Sequence, residues 1–173
     1  MSSKKFSTAS IAVVMCISGA PLLWGVGSAG AAPNRDRQAV ATAKLYLRTV
    51  AYSLDGLVLQ LTHSGYSTPE ATYGAEHSGA NWNHEALLFA KENVKSQGIS
   101  RSGLIQRMET YEFTAGQATY GVANCGANWN TEAYRAAQND LANEKISKSG
   151  LIGQLESSGF TVAQATYGAN RAY

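Results

Sequence analysis

The sequence predicts an all-α protein, built as three tandem three-helix units behind a short N-terminal export segment. Three observations carry this. Several residue types recur every 47 positions along the chain. Within each period the apolar residues fall at helical spacing, and no segment alternates with the two-residue rhythm of a strand. Each period also repeats the same helix-start and helix-stop residues.

The repeat is the strongest of the three. Tyr73, Tyr120 and Tyr167 lie 47 residues apart, as do Gly56, Gly103 and Gly150, and Ser53, Ser100 and Ser147. Trp82 and Trp129 keep the same interval inside two copies of the string GANWN. Three periods fill Pro33 to Tyr173, so residues 32–79, 80–126 and 127–173 form units one, two and three after residues 1–31. Equal spacing of this many residue types is the signature of stacked supersecondary units.

Each unit divides into three short helices. The first is expected over Asp36 to about Ala51, with counterparts at Trp82–Ser96 and Trp129–Asn143. Its apolar stripe in unit one is Ala39, Ala43, Tyr46, Leu47 and Val50. Asn81 and Asn128 are suited to cap the later copies, and Glu85 and Glu132 then place negative charge in the first turn, where the helix dipole favours it. The second helix starts after Ser53, Ser100 or Ser147, with a stripe of Leu54, Leu57, Val58 and Leu61 in unit one. It stops at Gly65 and Gly159, residues that take a left-handed conformation easily, and at Glu112 in unit two. The third helix opens on Ser67 to Glu70, Thr114 to Gln117 and Thr161 to Gln164. Each fits a capping box, in which the hydroxyl and the Glu or Gln satisfy orphan amides reciprocally. Pro69 suits a first helical turn, and Gly79 and Gly126 end the helix.

The first residues read as an export signal. Lys4 and Lys5 form a basic start, Ile11 to Trp24 an apolar stretch interrupted by Pro21, and Ala29-Gly30-Ala31 a small-x-small cleavage pattern. Cleavage is expected after Ala31, since Pro33 disfavours a cut after Ala32. The alternative is a retained anchor, because the uncharged stretch from Ile11 to Ala32 is about the length of a bilayer span. No lipid is expected on Cys16, which follows Met15 rather than a small residue.

Charge and cysteine usage exclude several functions. The chain has 14 basic and 12 acidic residues, and two of the basic ones are Lys4 and Lys5. The exported part is therefore formally neutral, which disfavours binding to nucleic acid or anionic membrane through summed positive charge. Cys125 is the single cysteine after the signal, so neither an internal disulfide nor a Cys-rich zinc site is available.

The pattern Ser-x-x-Gly-Leu-Ile, then Gln-Leu-Glu-x-x-Gly-Phe-Thr, Gln-Ala-x-Tyr and a Trp-Asn-x-x-Ala string resembles the Ltp-like family of host cell surface-exposed lipoproteins. Unit three keeps it best, over Ser147 to Tyr167, with Gly153 shifting the Gln to Gln154. The likeness spans essentially Asp36 to Tyr173. It implies small helix-turn-helix-like units displayed on the outer face of a bacterial envelope. It also implies a role of the kind some prophage-encoded members have: superinfection exclusion, blocking DNA entry by a second phage through contact with a tail protein.

A helix-turn-helix shape raises DNA binding, which the third helices argue against. They carry Glu70 and Glu76 in unit one, no charge from Ala115 to Ala123, and Arg171 alone in unit three. Reading DNA needs Lys and Arg for phosphates and amide or guanidinium groups for base edges. Catalysis is not expected either. His63, His77 and His84 correspond to Thr110, Asn124 and Thr131 in the next unit, so the repeat does not require them. Cys125 has no general base of its own unit nearby in sequence. No cofactor or metal is implied.

The recurring positions are the candidates for interaction or for structure. Tyr73, Tyr120 and Tyr167 are expected to pack inward, the other reading being an aromatic binding ladder. Trp82 and Trp129 stand where one unit hands over to the next and are expected to wedge into the joint. Gly56, Gly103 and Gly150 fall in a first helical turn at a cost of up to about 1 kcal/mol against Ala, which suggests close approach by a backbone or a partner. The resulting expectation is a non-enzymatic envelope protein with a protein partner, a phage tail component among the candidates. A cell-wall glycan module is the alternative, and a hydrolase built on His84 and a carboxylate stands behind it. A membrane partner is expected only if the signal is retained.

Overall fold

The computed structural model describes residues 32–96 and 98–173. The signal segment, the cut after Ala31, Cys16 and the apolar stretch of the alternative anchor lie outside the described residues. Among the described residues every regular element is an α-helix: α1 (Ala32–Leu47), α2 (Leu54–His63), α3 (Thr68–Glu76), α4 (Trp82–Ser96), α5 (Arg101–Thr110), α6 (Ala115–Asn124), α7 (Trp129–Asn143), α8 (Lys148–Ser157) and α9 (Val162–Ala172). None of these helices is long and apolar enough to cross a membrane.

The helices pack in consecutive triplets. In each, the first helix lies along the third and the second packs on the third, with less contact between first and second. The apolar residues form three separate small cores, one per triplet. The first holds Ala43, Leu57, Leu61, Ala71 and Ala75, the second Leu104, Met108, Phe113 and Val122, the third Leu151, Leu155 and Phe160. The second helix supplies the large side chains and its neighbours mostly supply alanine. Each fully buried leucine contributes about 1.5–3 kcal/mol, and a 47-residue unit has few of them.

Alanine and glycine let the first and third helices touch by their backbones. A Cβ on Gly121 would sit 2.6 Å from the Ala86 carbonyl oxygen, one on Gly168 2.6 Å from that of Ala133, and one on Gly74 2.7 Å from the Ala39 Cβ. This explains a correction to the expected inward tyrosines. Tyr73, Tyr120 and Tyr167 each precede one of these glycines, and successive helical residues point about 100° apart. The glycine faces the neighbouring helix, so the ring stands at the edge, 41, 44 and 42% exposed respectively.

The helix ends follow the caps. Gly56, Gly103 and Gly150 donate their backbone N–H to Ser53, Ser100 and Ser147 Oγ at 2.9, 3.0 and 3.2 Å. Gly65 and Gly159 take φ of 91° and 88°, and Glu112 in the matching place takes 62°. Thr114 and Gln117 close a capping box, as do Thr161 and Gln164. The first helix differs from expectation. It begins at Ala32 and ends at Leu47, and Val50 leaves the expected stripe to stand 48% exposed. Thr49 and Val50 fold their N–H groups back onto the Tyr46 carbonyl, and the chain then extends so that Ser53 can cap α2.

Candidate functional site

Every extensive helix–helix contact lies within a triplet. The units meet instead through their linkers and turns, at two joints of the same construction. In the first, Ser53 Oγ donates to the Tyr111 carbonyl at 2.7 Å, and in the second Ser100 Oγ donates to the Ser158 carbonyl at 2.6 Å. Each serine thus caps its own helix and holds the turn of the next unit. That use explains Gly56 and Gly103. A Cβ at either would stand 2.9 Å from the serine Oγ and crowd the hydroxyl that makes the bridge. The close approach expected at these glycines is therefore to a side-chain hydroxyl, not to a packed helix. At Gly150 a Cβ would meet Ile146 Cγ1 at 2.9 Å and Ser147 Oγ at 3.3 Å, and the exposed Ser147 accepts from Gly150 N and pairs with Ser149 Oγ at 3.2 Å.

Tryptophan and glutamate complete the joints. Trp82 opens α4 in unit two yet packs on the core of unit one, and Trp129 opens α7 in unit three yet packs on that of unit two. Glu85 and Glu132, one turn further on, are 7% and 2% exposed. They lie beside Tyr52 and Ile99 of the preceding unit's linker. The helix-dipole reading of these two residues is incomplete. Burial pushes both carboxyls above their ordinary value, against the pull of His84 at Glu85 and of Arg135 at Glu132. One oxygen of each has no hydrogen-bond partner.

The first described unit carries different residues at these positions. Gln38 stands where Glu85 and Glu132 stand, and is exposed. Arg35 takes the tryptophan position, donates to the Gly65 carbonyl at 2.8 Å and to Glu70 at 3.1 Å, and lies over the Tyr66 ring.

The two joints differ in their filling. At the second, Gly98 lies on α7 so closely that a Cβ would meet the Ala136 backbone nitrogen at 2.2 Å. At the first, the same two positions are Ala51 and Phe89. A cavity of about 370 Å³ opens there, walled by Val50, Leu59, Phe89, Tyr111 and Phe113, with His63 at its edge. Phe89 packs its ring on Tyr111 and Phe113, at centroid distances of 5.0 and 5.1 Å. Val50, Leu59 and Tyr111 are 48, 55 and 55% exposed. By the 47-residue period their sequence counterparts are Gln97, Gln106 and Ser158. That contrast, visible once the units are aligned, was the one signal for this groove.

The remaining candidates are scattered. His63, His77 and His84 are exposed, and His77 stacks on Tyr73 at 3.9 Å between centroids. The groove is lined by His63 and not by His84. Cys125 is half-buried against the second core, its thiol toward the Val122 carbonyl. No group of three or more His, Cys, Asp or Glu placed to hold a metal occurs among the described residues.

Comparison with known proteins gives one positive finding. Residues 128–171, which are the third unit, match the Ltp family, described as host cell surface-exposed lipoprotein. No curated protein and no solved structure matches the chain.

Proposed function

We propose, from the premise that unit three is of the host cell surface-exposed lipoprotein type, that this chain acts at a bacterial surface as a non-enzymatic binding protein. Its partner is a protein that seats an apolar side chain in the groove of the first joint. The observation that carries this is the difference between the joints. The second closes with Gly98 on α7, and the sequence there has Gln or Ser in place of Val50, Leu59 and Tyr111, so the repeat does not require those three to be apolar and exposed. Exposed apolar side chains around a concave site are the usual anchor pocket of a protein interface. Given the resemblance, a phage tail component is the partner favoured, and exclusion of phage DNA entry the role.

The test is to express the full chain in its host and challenge the cells with a phage panel. Adsorption should be unchanged while DNA entry falls for at least one phage, and a chain ending at Gly126 should protect less. The combined variant Val50→Gln, Leu59→Gln, Tyr111→Ser, which copies the second joint, should abolish protection at equal surface level. Equal plaque counts for the unaltered chain across the panel overturn the reading.

The exposure of Tyr73, Tyr120 and Tyr167 favours a second reading, a glycan stacked on one ring per unit. Retention of purified cell wall by the full chain, lost when all three become alanine, would establish it in place of the first.

A further inference from the structure

The second joint is tied in three ways that the first is not. Beside the Ser100 bridge, Ser102 Oγ donates to the Gly159 carbonyl at 2.9 Å, so the start of α5 holds two successive carbonyls of the unit-three turn. Arg135 on α7 donates to the Val94 carbonyl of α4 at 3.3 Å, with its guanidinium steadied by Glu132 at 2.8 Å. Gly98 lies against α7 so closely that a Cβ there would stand 2.7 Å from the Glu132 carbonyl oxygen. Backbone packed this tightly leaves no slack between the surfaces.

At the first joint the 47-residue period puts a residue unable to do the same in each place. Asp55 replaces Ser102, and a carboxylate accepts hydrogen bonds but has no proton to give the Glu112 carbonyl. Leu88 replaces Arg135 and has no donor. Ala51 and Phe89 replace Gly98 and Ala136, and both line the cavity instead of closing it. The Ser53 bridge to the Tyr111 carbonyl and the Trp82 ring on the core of unit one are kept. Extensive helix packing stays inside the triplets, so the orientation of one unit on the next depends on these joint contacts. One bridge fixes a point and leaves rotation about it. Bonds to two successive carbonyls, with a further tie to another helix, fix an angle.

We infer that units two and three form one rigid body, on which unit one swings about the Ser53–Tyr111 bridge, and that this swing sets the width of the groove. The groove walls come from both sides of the moving joint: Val50 and Leu59 belong to unit one, Phe89 and Tyr111 to unit two. They part or close as unit one turns. Residues 48–53 between α1 and α2 carry no regular element and absorb the change, as the few loop residues of a hinge do. A groove of adjustable width grips apolar side chains of different size, and a seated side chain in turn holds the two units at one angle. The swing follows from the joint contacts alone and holds or fails independently of the partner proposed above.

The test is a set of backbone amide residual dipolar couplings on the full exported chain, weakly aligned in a neutral medium. Couplings from α4 through α9 should fit one alignment tensor, and those from α1 to α3 a second tensor of lower order. The order parameter of unit one relative to the other two should fall below about 0.6, where a rigid joint gives about 0.85. Asp55→Ser with Leu88→Arg copies the second joint, with Glu85 and the Leu47 carbonyl in the places of Glu132 and Val94. That variant should raise the unit-one value toward the rigid one. Ser102→Asp copies the first joint in a first helical turn, where an acid is well tolerated, and should lower the order between units two and three. One tensor fitting α1 through α9 of the unaltered chain overturns the inference, as does a unit-one order parameter unmoved by Asp55→Ser with Leu88→Arg.

Discussion

One hydroxyl, that of Ser100, does more than the equivalent hydroxyl of Ser147. Ser100 and Ser147 have the same cap geometry, with φ of −74° and −68° and a glycine N–H three residues on. Only Ser100 also reaches a neighbouring carbonyl, and it is 2% exposed whereas Ser147 is exposed. Losing an N-cap costs about 1 kcal/mol, and leaving the part-buried bond to the Ser158 carbonyl unmade costs about 1–3 kcal/mol more. Ser100→Ala should therefore destabilise by about 2–4 kcal/mol and Ser147→Ala by about 1 kcal/mol, measured by urea unfolding of the two variants. Equal losses would show that the bridge to Ser158 adds nothing. The cap was legible in the sequence because its chemistry is local, a serine before a helix and an amide three residues on. The bridge was not, since its acceptor lies 58 residues away. The burial of Glu132 was hidden for a related reason. An acid in a first helical turn already has a sufficient local explanation in the dipole, and only Gln38 in the matching place of unit one hints at another.

At the scale of elements, helix boundaries were the most legible feature and the packing of helix faces the least. The starts of α4 and α7 fall where Asn81 and Asn128 predict, with Oδ1 accepting from His84 N at 3.1 Å and from Thr131 N at 3.2 Å. The recurring tyrosines misled because an aromatic at fixed period resembles a core position, while the neighbouring glycine held the actual contact. Gly121 is the sharpest case, since a Cβ there would also meet Met108 Cε at 3.0 Å. Gly121→Ala must push α6 off α4, and overpacking of this kind costs about 1–3 kcal/mol. The loss should appear as a lower urea midpoint for the variant. In contrast, Gly116→Ala in the same helix, where nothing lies within 4 Å, should gain a few tenths of a kcal/mol to about 1 kcal/mol from helix propensity. If both variants behave alike, the close approach of α4 and α6 is not the constraint on this face.

Across the described residues, three small cores meet at two joints bridged by Ser53 and Ser100, and different residues close the outer faces of units one and three. Arg35 and Glu70 close the first end, and Tyr173 reaches the Ile146 carbonyl at the other. These parts respond to acid in opposite senses. Glu70 is held down to about 2 by its bonds from Arg35 and the Ser67 amide. A depressed carboxyl contributes stability above its ordinary value of 4.5 and loses it as pH falls toward 2. Glu85, Glu132 and Asp140 are all raised, chiefly by burial, so their contribution is full below the ordinary carboxylate value and is lost as pH rises through the raised one. The melting temperature should therefore peak in mild acid and decline on both sides, rather than hold a plateau through neutral pH. Scanning calorimetry from about pH 2.5 to about pH 8 reads this directly. Arg35→Gln should flatten the acid limb alone, because it removes the partner of Glu70 and touches neither joint. The double variant Glu85→Gln, Glu132→Gln should shallow the neutral limb alone, leaving the share carried by Asp140. A single variant that moved both limbs would mean that the end seal and the joints unfold as one unit, and that the three cores are less separate than their packing suggests.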